Sequence, residues 1–118
     1  MTQSPIDTSI RAVDERTSII AVRGSVTAAS EAALMDAFAT AAGERTRHVI
    51  LDFGGLDYLN SSGIGLIVTL LVRANRQGQQ LSAFGLTDHY RHIFELTRLN
   101  DAIAIHDGED AALQAAAR

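Results

Sequence analysis

The residues best placed to do chemistry cluster at positions 60–66, where Asn60, Ser61 and Ser62 precede Gly63, Ile64, Gly65 and Leu66. Asparagine and serine are strong helix N-caps, because their side-chain oxygens accept backbone N–H groups that a first turn leaves unpaired. An apolar run of helical length follows, so the cluster stands at a helix start. Gly63 and Gly65 then fall in the first turn, where each glycine costs up to about 1 kcal/mol relative to alanine. Close approach by another backbone or by a bulky partner would offset that cost. The plainest reading makes Asn60 and Ser61 simple caps and the glycines a means of tight packing on a sheet.

Other chemistries fit the residues less well. Serine hydrolysis needs a base beside the nucleophile and an acid to orient it; His48, His89, His92 and His106 are available, but no G-x-S-x-G elbow surrounds Ser61 or Ser62. His89 and His92 stand at helical spacing for two metal ligands, yet there is no HExxH pattern and no cysteine, so no metal site is expected. A Walker A loop requires a lysine, and the chain has none. Asp52 and Asp57 form a carboxylate pair only by proximity in sequence, in a region read as solvated. Tyr58, two residues before Asn60, is of a type enriched at interfaces, and its ring packed over the loop is the other reading. No intrinsic enzymatic activity and no cofactor are expected.

The chain has 118 residues, enough for one domain, with 47% hydrophobic and 20% charged residues, the balance of a compact globular fold. The net charge of −4 and arginines scattered from Arg11 to Arg118 give no basic stripe for nucleic acid. Without cysteine, disulfides and thiolate catalysis are excluded. Residues 1–5 are polar and show no secretory leader. The longest apolar stretch, residues 64–72, falls well short of the roughly 20 residues a membrane span needs. A cytoplasmic location is expected.

The elements that would position residues 60–66 follow from periodicity. Segments 6–13 and 17–23 are β-leaning runs around Asp14, Glu15 and Arg16, with Ile6, Thr8, Ile10 and Ala12 on one face of the first, and they read as a hairpin ended by Gly24 and Ser25. Residues 28–42 form a helix whose buried face is Leu34, Phe38, Ala41 and Ala42, stopped by Gly43. Residues 48–53 suit a strand covered on both faces. A loop through Tyr58 then leads to a helix over 62–76. Its apolar residues Ile64, Leu66, Ile67, Val68, Leu70, Leu71 and Val72 nearly encircle the axis, so it needs cover on every side. A strand at 81–85, a helix at 88–99, a strand at 103–106 and a helix at 107–117 complete the chain, the last capped by Asp107 with Glu109 and Asp110 in its first turn. This alternation predicts an α/β fold: a mixed sheet of four to five strands opened by a hairpin, with about four helices packed mainly on one face.

Segment 52–66, DFGGLDYLNSSGIGL, resembles the signature of the STAS domain family: an apolar strand, an acidic or small residue, two hydroxyl residues and glycine. The similarity runs along nearly the whole chain and includes Gly24, QGQQLS at 77–82 and RHIFEL at 91–96. It implies a single STAS domain over 1–118 and a bacterial anti-sigma factor antagonist that regulates sigma-factor-dependent transcription. In such proteins the first hydroxyl of the pair, here Ser61 with Ser62 as the lesser acceptor, is phosphorylated by an anti-sigma factor of GHKL-type kinase fold and restored by a serine phosphatase. The same resemblance makes Ser25, Thr27, Tyr58, Asn60, Ser61, Ser62, Gly63, Ile64 and Leu66 the partner-binding set, and leaves self-association open. The alternative use of the module is a fixed, unphosphorylated adaptor in a lipid-transport or stressosome-like complex. Two positions depart from the family pattern, Asn60 where aspartate is typical and Thr27 where it is frequent. Both changes remove negative charge beside the hydroxyl, which eases addition of a phosphate and deletes a contact a cognate kinase expects.

Overall fold

The computed structural model describes residues 4–117. Among them are five strands, β1 (Asp7–Ala12), β2 (Thr17–Val26), β3 (His48–Leu59), β4 (Gln80–Phe84) and β5 (Ala104–His106), and four α-helices, α1 (Glu31–Ala41), α2 (Ser61–Arg76), α3 (Asp88–Leu96) and α4 (Glu109–Ala116). The strands form one sheet in chain order. β1 is antiparallel to β2, and β2, β3, β4 and β5 run parallel to one another. The mixed sheet opened by a hairpin is as the sequence predicts.

Strand side chains alternate between faces, and the core divides accordingly. Ile20, Val22, Val49, Leu51, Phe53, Leu81 and Ala83 pack in one cluster with Leu34 and Phe38 of α1, Ile67 and Leu70 of α2, and Tyr90 and Phe94 of α3. Their neighbours Ile19, Ile50 and Phe84 face the other way and meet Ala112 of α4. Three helices thus cover one face and the short α4 the other, which is why residues 49–51 of β3 are apolar on both faces.

Two strand ends differ from the sequence expectation. Gly24 and Ser25 do not end β2, which continues to Val26 through register shifts at Ala21/Arg23 and Gly24/Ser25. Gly24 permits this by taking φ +83, and a Cβ there would collide with the Pro5 carbonyl oxygen. The expected loop through Tyr58 is likewise strand: β3 runs to Leu59, with Ser25 opposite Tyr58 and Val26 opposite Leu59. β4 reaches only as far as Asp52, so both strands project as a two-stranded ribbon. Gly54, Gly55 and Asp57 break the local alternation, and pairing with the bulged β2 overrides it.

Helix boundaries move less. The first turn of the expected 28–42 helix is a 3-10 turn, Ala28–Ser30, capped by Thr27, and Ala37 joins Leu34, Phe38 and Ala41 on the buried face while Ala42 is half-buried. Asp107 does not cap the last helix. Gly108 holds that position without a side-chain bond, and the Asp107 carboxylate instead accepts a 2.8 Å bond from the Arg91 guanidinium on α3. A charged partner outcompetes the local N–H groups. The helix expected over 88–99 ends at Leu96, followed by a 3-10 turn at Leu99–Asp101.

Candidate functional site

β3 ends at the buried Leu59, and Asn60 is the sole residue between it and α2. Asn60 is extended (φ −105, ψ −177), and its Oδ1 accepts the Gly63 N–H at 2.9 Å. An asparagine oxygen caps as well as a carboxylate would, and it brings no charge to the helix start. No acidic residue lies in the first turn of α2. With the cap supplied by Asn60, Ser61 and Ser62 occupy the first two helical positions, and both are exposed to solvent.

The two glycines of this turn have different roles. Gly63 is buried, and a Cβ on it would overlap the Val26 carbonyl oxygen and sit 2.8 Å from Leu59 Cδ1. The helix start is wedged against the end of β2, and that contact orients Ser61 and Ser62. Around Gly65, by contrast, nothing among the described residues beyond its own helical turn lies within 4 Å of where a Cβ would be. Ser61, Gly65, Val68 and Val72 follow the i, i+4, i+7, i+11 spacing of one helical stripe, and Val68 and Val72 are 38% and 42% exposed. Ile67, Leu70 and Ala74 bury the opposite side, with Ile64, Leu66 and Leu71 half-buried at the flanks. The cover that the apolar α2 requires is therefore incomplete along this stripe.

The strand register and the Gly63 contact gather the expected residues at one end of the sheet, in different environments. Tyr58 is 37% exposed. Thr27 spends its hydroxyl on the Ala29 N–H and takes the Ser30 hydroxyl on its own N–H, a capping box. Ser25 is 5% exposed with its Oγ buried and unpartnered, so it lies beneath this surface. The other candidate chemistries are not assembled here. His48 begins β3, about 36 Å along the strand from Leu59 at its other end, at 3.3 Å per residue. His89 packs edge-on to Tyr90, and His92 lies 3.6 Å from Glu95. Among the described residues no group of three or more histidine or acidic side chains is arranged for a metal, and no helix is long and apolar enough to cross a membrane. Asp52 accepts the Gly54 N–H at 2.8 Å, a local bond within β3 at the point where β4 stops pairing.

One positioning residue escapes the sequence reading. The Tyr90 hydroxyl accepts the Leu59 N–H at 3.0 Å in the buried interior, tying α3 to the residue immediately before the cap. Thr87, which accepts the Tyr90 N–H as the cap of α3, is the sequence signal that places Tyr90 in a first turn. Tyr90→Phe leaves the Leu59 N–H buried and unpaired, at a cost of about 1–3 kcal/mol. Denaturant unfolding checks this, and an unchanged midpoint would show that the bond contributes nothing.

A family profile described as "Mlab, STAS domain" matches residues 11–106. Among curated proteins, the anti-sigma-B factor antagonist of Staphylococcus aureus (strain NCTC 8325 / PS 47) is 29% identical over 65 residues, 55% of this chain and 60% of that protein. The match thus spans less than two thirds of that relative's length. Among solved structures, an anti-sigma factor antagonist from Mycobacterium paratuberculosis aligns with a TM-score of 0.82 at 18% identity, covering 96% of this chain and 95% of that one. A sulfate transporter family protein from Wolinella succinogenes aligns with a TM-score of 0.77 at 16% identity, covering 91% and 89%. At such identities the two structures speak for the fold.

Proposed function

The chain belongs to the STAS domain family, and from that premise we propose that it is an anti-sigma factor antagonist switched by phosphorylation of Ser61. The observation that carries this reading is the division of labour at the start of α2: Asn60 caps the helix, which leaves the Ser61 hydroxyl exposed. In the unphosphorylated state the α2 stripe, flanked by Tyr58 and Thr27, docks on an anti-sigma factor of GHKL-type kinase fold, and the sigma factor is released for transcription. That partner then uses ATP against its antagonist. The Ser61 Oγ attacks the γ-phosphorus, the bond to the β-phosphate oxygen breaks, ADP leaves, and the hydroxyl proton passes to a base of the kinase. A serine phosphatase returns the hydroxyl by hydrolysis. The antagonist is substrate and ligand in this cycle and contributes no catalytic group.

The test is incubation with a candidate anti-sigma kinase and ATP, followed by intact mass and site mapping. One added phosphate, on Ser61 and lost in Ser61→Ala, is the expected result. Tight binding without phosphate transfer would instead favour a fixed adaptor, as in a lipid-transport or stressosome-like complex. The observation on the side of that second reading is that Asn60 and Thr27 stand where family members carry acids and are both committed to caps within the chain.

A further inference from the structure

β1 lies at one edge of the sheet, and among the described residues no strand pairs with its outer side. The Val13 N–H donates to the Thr17 carbonyl, and the β1–β2 register pairs Ile10 with Ile20 and Arg11 with Ile19. In an antiparallel pair the hydrogen-bonding direction alternates from residue to residue, so Asp7, Ser9 and Arg11 direct their backbone groups at β2. Thr8, Ile10 and Ala12 direct theirs outward, as does Ile6 just before the strand. Pro5 falls in the inward set, so its missing N–H does not interrupt the outer edge. Such an edge is a template for another strand.

The geometry points to a second copy of this chain as that strand, joined about a two-fold axis at Ser9 into a continuous ten-stranded sheet. A two-fold pairing of β1 with itself must match outward residues with outward residues, which allows axes at Thr8, Ser9 or Ile10. With the axis at Thr8, Asp7 meets Ser9 of the second copy; with it at Ile10, Arg11 meets Ser9 and Asp7 meets Val13. With the axis at Ser9, Asp7 stands opposite Arg11 of the second copy, twice by symmetry, in the non-hydrogen-bonded positions where side chains are closest. Thr8 and Ile10 then exchange backbone hydrogen bonds across the axis, as do Ile6 and Ala12. Both charged residues are already oriented along this face. Arg23 binds Asp7 at 2.8 Å and Glu109 pairs with Arg11, so the dimer would align Arg23, Asp7, Arg11 and Glu109 in alternating sign on each side of the axis. Ile10 and Val13, each 39% exposed, lie along the edge the second copy would cover. The interface is isologous and closed, and it leaves the start of α2 free. It rests on the edge alone and is independent of the role of Ser61.

Sedimentation equilibrium of the full chain across its soluble concentration range tests this, with circular dichroism confirming that each variant folds. The expected result is a reversible dimer that weakens with salt. Ile10→Pro removes an outward N–H and none of the β1–β2 bonds, and should abolish the dimer; Thr8→Pro is the second such variant should the first not fold. Arg11→Asp should weaken association by about tenfold or more, since two opposed charge pairs become repulsive. The reciprocal variant, Asp7→Arg with Arg11→Asp, should recover it, although it makes both pairs within the chain like-charged. A wild-type chain that stays monomeric, a dimer indifferent to the proline variants, or a reciprocal variant no better than Arg11→Asp would overturn the proposal.

Discussion

Gly63→Ala is expected to destabilise the fold by about 2–3 kcal/mol, while Gly65→Ala, two residues on in the same turn, stabilises it by about 0.5–1 kcal/mol. The sign is decided by what each new methyl meets. At Gly63 it meets the Val26 carbonyl oxygen and Leu59 Cδ1, groups of a bulged strand end and a buried side chain that have little room to retreat. The alanine preference for helix recovers only about 1 kcal/mol of that strain. At Gly65 the methyl projects into open space, so the helix preference acts unopposed. Denaturant midpoints at unchanged m-value read both effects. A neutral Gly63→Ala would mean that α2 does not press on β2 as described, and Ser61 would lose its support. The same pair also probes the surface. Among the described residues nothing accounts for glycine at position 65, so if a partner approaches there, Gly65→Ala gains stability and loses affinity together, a combination that a purely structural glycine would not give.

The parts of this architecture legible in the sequence are those whose causes are local. Periodicity locates α1 and α2, and the apolar run at 48–53 foretells a strand covered on both faces, which Val49 and Leu51 on one side and Ile50 on the other fulfil. The strand–cap–helix passage at 59–63 is written in its own residue types. What escapes the sequence depends on distant partners. Leu56, Asp57 and Tyr58 are strand because β2 survives its bulge at Gly24, and nothing near Tyr58 announces that. Asp107 has the chemistry of a cap and is drawn to Arg91 instead. Tyr90 binds a backbone N–H 31 positions away. The depth of the site residues belongs to the same class: Ser25 lies within β2, where its backbone bonds Ser4 and the Ser30 hydroxyl and it is buried, whereas Ser61 opens α2 and is exposed.

Ser61→Asp is expected to weaken binding to the anti-sigma partner about a hundredfold, some 2.8 kcal/mol, with thermal stability almost unchanged. The fold is indifferent because an acid in the first turn of α2 meets the positive end of the helix dipole, a gain of about 0.3–1 kcal/mol. Asn60 continues to cap the Gly63 N–H, and no carboxylate already in that turn repels the newcomer. The effect therefore falls on whatever covers Ser61, where a charge must give up its water on docking. Phosphate, with about −1.5 to −2 charges, should act more strongly than aspartate, so the variant marks the lower bound of the switch. Ser61→Ala separates charge from loss of the hydroxyl and should bind as the wild type does. Ser62→Asp, one position further round the helix and off the stripe that runs through Gly65, Val68 and Val72, should weaken binding less. Titration calorimetry of the four proteins against one partner ranks them. Equal affinity for Ser61→Asp and wild type would mean that charge at this exposed position does not govern docking, and the antagonist would need its control elsewhere.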